Sequence, residues 1–258
     1  MSIVMDKYDV MEEEQSLRYF SVVFGASQFF GALVVILMAV WMGSYDGGFG
    51  WTDRPEQQFH YHPLFMAIGL VFLQGEAILV YRVFRHEKKK FTKTLHLVLH
   101  SMIFVFFVVA LNAVFSSFNN SEHGPAPHMQ SVHSWIGMAT VLMFCVQYLC
   151  GFVAFFFPGL SMPLRSWYMP IHRFSGQFIF IMAVVAALMG TAQRAHSHYD
   201  PDSEDPCHRG MCGEKMLVNF MGVFIVLYAL SVTYLVGNPS FRRRALPEEE
   251  SLQQLASD

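Results

Sequence analysis

The sequence predicts an all-α protein in which six apolar helices cross a membrane and both termini lie on one side. Three observations predict it. Hydrophobic residues make up 53% of the 258 and charged residues only 14%, against roughly 25% in an average soluble domain, and Phe alone supplies 26. Six stretches are long and apolar enough to span a bilayer core of about 30 Å, which needs about 20 helical residues. Lysine and arginine are also unevenly shared between the connections. This composition excludes an ordinary soluble domain, and with a net charge of −3 no nucleic-acid partner is expected.

The spans follow in order. Phe20 to Met42 has no charged residue, and Leu64 to Val80 has only Glu76. Leu95 to Phe115 and Val132 to Phe157 carry histidine as their only ionisable base, while Phe174 to Ala192 and Met216 to Val236 are free of charge. Any one of them could be a buried helix of a soluble core; six together read as crossings, because backbone in lipid must hydrogen-bond within its own segment. One side of the alternating connections then holds Lys7, Arg18, Arg82, Arg85, Lys88, Lys89, Lys90, Lys93, Arg165, Arg173 and Arg242 to Arg244, thirteen cations. The other holds Arg54, Arg194, Arg209 and Lys215, which places both termini in the cytoplasm. Met1 to Gln15 is polar and acidic rather than a cleavable leader, so the first helix is expected to act as the anchor. The expected organisation is a cytosolic tail over 1–17, a six-helix domain over 18–240 and a cytosolic tail over 241–258.

Two features of the outer loops agree with this orientation. Cys207 and Cys212 lie where the compartment is oxidising, so a disulfide could close that loop. Asn119-Asn120-Ser121 is a glycosylation sequon on the same side. Cys145 and Cys150 lie within the fourth helix and read as buried thiols.

Four histidines can be placed by depth. The second helix runs inward and opens at His62-Pro63, with the proline at a first-turn position where its missing N–H does no harm. His62 is thus near the outer face, His96 near the inner, His133 near the outer and His172 near the inner. The first and last helices contain none, so helices two to five form a four-helix core with one and six on its flanks. At 100° per residue Gly137 and Gly151 share the His133 face, and Gly176, Ala183 and Gly190 share the His172 face, while Gly69 lies seven residues after His62. Small residues beside paired imidazoles make room for two haem plates; alone, they also let membrane helices approach closely. Two axial histidines leave iron no open position, which favours electron transfer over oxygen chemistry.

The runs Phe59-His60-Tyr61-His62-Pro63, Ala77-Ile78-Leu79-Val80-Tyr81-Arg82, Lys93-Thr94-Leu95-His96, Ser131-Val132-His133-Ser134-Trp135, Leu164-Arg165 and Met169-Pro170-Ile171-His172 resemble the cytochrome b561 family in order and spacing, over about residues 18 to 245. The resemblance implies six helices, two b haems, and electron transfer from cytosolic ascorbate to an outer acceptor, either monodehydroascorbate or a ferric chelate. It implies His62 with His133 on the outer haem and His96 with His172 on the inner, the pairing that depth also suggests. It implies an ascorbate site at Arg82, Lys93 and Arg165, leaving Lys88 and Lys90 as topology charges. Relatives also suggest a homodimer. Many of them carry a histidine directly before the asparagine that matches Asn119; here that position is Phe118, a departure at the outer site.

Other residues compete for roles. His100 lies one turn beyond His96 on nearly the same face, so geometry alone leaves it open as an inner ligand. His60 reads as a surface group near the outer site, His86 as solvated, and His123, His128, His196, His198 and His208 as outer-loop imidazoles. The loop from His196 to His208 also holds Asp200, Asp202, Glu204 and Asp205, whose oxygens suit ferric iron, although a solvated acidic loop is the commoner outcome. Glu76, fourteen residues after His62, is expected to face the bundle interior, either paired with Arg82 or handling a proton.

The chain is therefore expected to be a transmembrane ascorbate-dependent oxidoreductase of the plasma membrane or of an endosomal, lysosomal or secretory vesicle membrane. The alternative is a histidine-lined transporter for protons or divalent metal without haem, since intramembrane histidine also marks such pathways.

Overall fold

The computed structural model describes residues 2–51, 53–121, 124–198 and 210–243, and the side chains of 18–51, 53–121, 124–197 and 210–243. Six helices long and apolar enough to cross a membrane follow one another: α1 (Arg18–Tyr45), α2 (Pro55–Val83), α3 (Lys89–Asn119), α4 (Val132–Phe155), α5 (Met162–Ser197) and α6 (Gly213–Gly237). Among the described residues there is no strand. Large apolar side chains such as Val22, Phe29, Val105, Leu142, Phe178 and Leu230 stand exposed, as they must where the solvent is hydrocarbon. Trp135 and Trp167 are exposed in the opening turns of α4 and α5, at helix ends, where amphipathic indoles suit a membrane interface.

The helices run beyond the apolar stretches that reveal them. Helix α2 starts at Pro55 rather than at His62, and α5 starts at Met162 rather than at His172. In both, a proline sits in the first turn and a polar or mixed segment continues the helix outside the hydrocarbon, where hydropathy carries no signal. Helical backbone also precedes α1, from Ser2. Helix α4 opens on a capping box, in which Ser131 and Ser134 exchange side-chain and backbone hydrogen bonds. Pro170 lies inside α5, two residues before His172, and cannot donate the bond to Ser166.

Helix α2 is irregular. It breaks at His60 and widens between Ala67 and Leu73 into i→i+5 bonding, a π segment of the kind found at functional sites. Each residue there advances the helix by less than 100°, so His62 and Glu76 end on different faces.

The six helices pack as antiparallel pairs, α1 with α6, α2 with α3 and α4 with α5. Trp41, Met42, Met221, Ile225, Tyr228 and Leu235, all but fully buried, close the core around the first pair. A second cluster, Leu70, Ala77, Ile103, Phe107, Val141, Phe144, Ile179 and Ala183, joins α2 to α5. Along each of those four helices the cluster falls between the outer and inner histidine positions, and so forms an apolar middle layer.

Candidate functional site

In the outer layer, His62 of α2 faces His133 of α4 with ring centroids 6.1 Å apart. The Nδ1 of His62 lies 3.3 Å from the Ala110 carbonyl oxygen, and that of His133 lies 2.8 Å from the Ala186 carbonyl oxygen. A carbonyl can only accept, so each Nδ1 carries the hydrogen and each Nε2 keeps its lone pair. A cavity of about 310 Å³ opens between the pair, lined by apolar groups that include Leu70, Val141 and Ala183. Gly137 borders it with nothing near its absent side chain, and a Cβ on Gly190 would stand 2.6 Å from the His133 ring.

In the inner layer, His96 of α3 faces His172 of α5 at 6.3 Å. His96 Nδ1 donates to the Ala77 carbonyl at 2.7 Å. His172 is oriented differently: Gln147 Nε2 stands 2.9 Å from its Nδ1 and donates to its backbone oxygen at 2.7 Å, while Ser175 Oγ donates to Gln147 Oε1 at 2.8 Å. Gly151 brings α4 against this ring, since a Cβ there would lie 3.0 Å from His172. The His100 ring is 4.3 Å from His96 and 5.6 Å from Phe144.

These spacings suit an iron between two imidazoles. Two metal–nitrogen bonds of about 2 Å and two half-rings of about 1.1 Å separate the centroids by roughly 6.2 Å. Both pairs match that span, and His100 is too near His96 for a metal between those two. Among the described residues no three His, Cys, Asp or Glu side chains converge as a metal cage, the arrangement a divalent-metal path would use. At 1.5 Å per residue, the fourteen positions of α3 from His96 to Ala110 separate the layers by roughly 20 Å.

The glycines divide between two uses. Gly137 and Gly190 border the outer cavity and Gly151 touches the inner ring, whereas Gly69 packs on Phe106 as ordinary close helix approach.

The inner rim separates the three basic residues grouped by resemblance. Lys93 Nζ donates to the Phe155 carbonyl at 3.2 Å, and the Arg165 guanidinium donates to the Leu160 carbonyl. Both meet the end of α4 and the turn after it. Phe155 and Tyr168 stack there with centroids 5.6 Å apart, and lie 5.1 and 5.9 Å from His172, an aromatic wall that the sequence did not suggest. Arg82 instead donates to the Val236 carbonyl and caps α6.

At the outer end, Asn119 closes α3, and its Oδ1 accepts from His128 Nε2 at 2.8 Å. His128 is not a freely solvated loop histidine: it stacks on Phe118 at 5.8 Å and meets Phe115 edge-on at 5.0 Å. Nor is His60 a surface group. It is 1% exposed, bonded to the Gly48 carbonyl, and 3.3 Å from Asp46, which Arg194 grips at 2.6 and 2.8 Å. Burial pushes the Asp46 carboxyl up, but His60 and Arg194 outweigh it and hold it down at about 2. Glu76 pairs with Gln28 and Tyr228 rather than with Arg82, because the π segment swings it toward α1 and α6. Cys150 is exposed rather than buried, Cys145 is half-buried, and Cys212 is disulfide-bonded. His123, Cys207 and the acidic loop residues Asp200, Asp202, Glu204, Asp205 and His208 lie outside the described residues, as does the His198 side chain.

A profile of eukaryotic cytochrome b561 matches residues 61–198, the segment carrying all four layered histidines. A Caenorhabditis elegans homologue of the transmembrane ascorbate-dependent reductase CYB561 is 42% identical over 266 positions, covering 100% of this chain and 98% of its own length. The Bos taurus transmembrane ascorbate-dependent reductase CYB561 is 39% identical, covering 88% of this chain and 86% of its own. The Xenopus laevis plasma membrane ascorbate-dependent reductase CYBRD1 is 34% identical, covering 90% and 78%. With the matched segment running across both histidine layers and relatives aligned over most of the chain, this chain belongs to the eukaryotic cytochrome b561 family.

Proposed function

We propose that the protein moves electrons across a membrane from cytosolic ascorbate to a ferric chelate or monodehydroascorbate on the far side. Residues 18–240 form the electron-carrying unit, with both termini cytosolic. The single observation that carries this reading is the presence of two histidine pairs, spaced 6.1 and 6.3 Å between centroids, in two layers divided by apolar side chains. Two b haems, bound one per layer, supply one-electron carriers with no open iron position.

The chain's own residues do the rest. Carbonyls of Ala110, Ala186 and Ala77 fix the tautomer of three imidazoles, and Gln147 orients the fourth. Lys93 and Arg165 attract and orient the ascorbate monoanion beside the Phe155–Tyr168 wall. Asn119, His128 and Arg194 gather at the outer mouth, where the acceptor approaches. The relatives are named for ascorbate dependence, which supports the donor.

The visible spectrum and haem content of the purified protein test the reading. Two b haems per chain, both reducible by ascorbate, are expected. A colourless folded protein would overturn it in favour of a transporter.

A further inference from the structure

Glu76 is the one acidic residue within the apolar stretches, and the histidine layers make no use of it. Its Oε1 accepts from Gln28 Nε2 of α1 at 2.8 Å and lies 3.1 Å from the Tyr228 hydroxyl of α6. The same hydroxyl lies 2.8 Å from the Phe72 carbonyl. A hydroxyl has one hydrogen, so Tyr228 donates to Phe72 or to Glu76 but not to both at once. With the carboxylate ionised, Tyr228 donates to Glu76. With the carboxyl protonated, Glu76 donates to Tyr228, and Tyr228 donates to Phe72. Both protonation states are hydrogen-bonded on one set of heavy-atom positions, so the carboxyl can gain or lose a proton with only the Tyr228 hydroxyl turning. Gly75 makes the contact feasible, because a Cβ there would stand 2.2 Å from the Tyr228 oxygen.

The depth of this group matters. Counting 1.5 Å per residue, Glu76 lies about 10 Å from the inner end of α2 at Val83, as His96 does from the inner end of α3 at Lys89. The neighbouring residue, Ala77, gives its carbonyl to His96 Nδ1. Glu76 thus lies at the depth of the inner histidines, and the residue after it is hydrogen-bonded to His96. The groups bonded to Glu76 are Gln28 of α1, itself bonded to Ser27, and Tyr228 of α6; the next residue, Ala77, meets His96 of α3, which has His100 beside it, and one to two turns further along α2 lie Tyr81 and Arg82, the latter committed to Val236. Among the described residues no ion pair reaches the carboxyl.

We propose that Glu76 is the proton partner of the electron in the inner layer: it binds a proton when an electron arrives between His96 and His172, and releases it when the electron leaves. This rests on the haem reading of that layer. An electron added there repels a carboxylate at the same depth, and the bilayer core screens that repulsion weakly. Proton uptake removes one of the two negative charges. The donor monoanion loses one electron and one proton on the cytosolic side, so the electron entering the layer and the proton entering –COO⁻ to give –COOH leave the step balanced.

The test is a redox titration of the purified holoprotein at several pH values, with haem content and redox-difference infrared spectra taken on the same samples. One of two midpoints should fall with rising pH, approaching about 59 mV per tenfold change in proton concentration over part of the range. Reduction should add a protonated-carboxyl infrared band. Glu76→Gln should remove slope and band while keeping two haems, and Glu76→Asp should restore the slope. A slope that survives in Glu76→Gln, or wild-type midpoints that stay flat with both haems bound, would overturn the assignment. The infrared band is read on the wild type, so the proposal stays testable if the variant does not fold. Absence of haem from the wild type defeats the reading of the layers instead.

Discussion

His128 and Asn119 form a fixed pair at the outer mouth: the imidazole Nε2 donates to the amide Oδ1 at 2.8 Å while the ring rests on Phe118. The imidazole beside Asn119 arrives from nine residues later in the chain. The loop is constrained for this purpose. Met129 adopts φ 60, the left-handed region, held there by the Trp135 indole donating to its carbonyl at 2.9 Å. His128→Ala should raise the acceptor concentration needed for half-maximal re-oxidation several-fold and leave ascorbate-driven reduction unchanged. Stopped-flow traces of the two half-reactions separate these effects.

His62→Ala or His133→Ala should remove the outer haem and spare the inner; His96→Ala or His172→Ala should do the reverse. Haem per chain, expected to fall from two to one, and low-temperature spectra that distinguish the layers check this. His100→Ala should keep both haems.

Lys93→Ala and Arg165→Ala should each raise the ascorbate requirement roughly tenfold, the loss expected for one hydrogen bond to a charged group of about 1.5 kcal/mol. Arg82→Ala should change that requirement less and lower thermal stability instead, since its guanidinium caps α6. Ascorbate titrations paired with melting curves distinguish the two classes.

Gly190→Ala should cost the outer haem alone, because the new methyl would lie 2.6 Å from a ring carbon of His133 and 2.9 Å from its Nδ1. Gly25→Ala, with open space around it, should bind both haems and gain up to about 1 kcal/mol of helix stability. Haem content of the two variants is the check.

Asp46 sets an acid limit. Its folded pKa of about 2 lies below the 3.8 of an unperturbed aspartate, so its contribution is fully present above about pH 4 and fades as pH falls toward 2. The difference corresponds to about 2 kcal/mol. Asp46→Asn should lower stability by that order near neutrality and flatten the acid side of the melting temperature against pH.

The layers were legible because depth follows from counting residues along apolar stretches, and a histidine at the end of each is hard to mistake. Gln147 was not, for an amide inside an apolar helix has no spacing signature until α5 is seen beside it. Glu76 faces the bundle interior as its spacing suggests, but its partners there, Gln28 and Tyr228 rather than Arg82, have no sequence signature, because the chain is wound more widely across Ala67–Leu73. His60 reads from sequence as a surface group because its partners, Asp46 and Gly48, come from the turn after α1, which no local pattern ties to α2. Family resemblance groups Arg82 with Lys93 and Arg165, and only the arrival of Val236 beside it reveals its other task.

The cluster of Leu70, Ile103, Phe107, Val141, Phe144 and Ile179 has an electrical consequence. These hydrocarbon side chains offer no ligand to a sodium, potassium or chloride ion, so electrons would pass with no ionic leak beside them. Each such transfer moves net charge through the membrane field, worth about 2.3 kcal/mol per 100 mV for a full crossing. Turnover should then respond to voltage, and an electrical gradient imposed on sealed vesicles would set its pace.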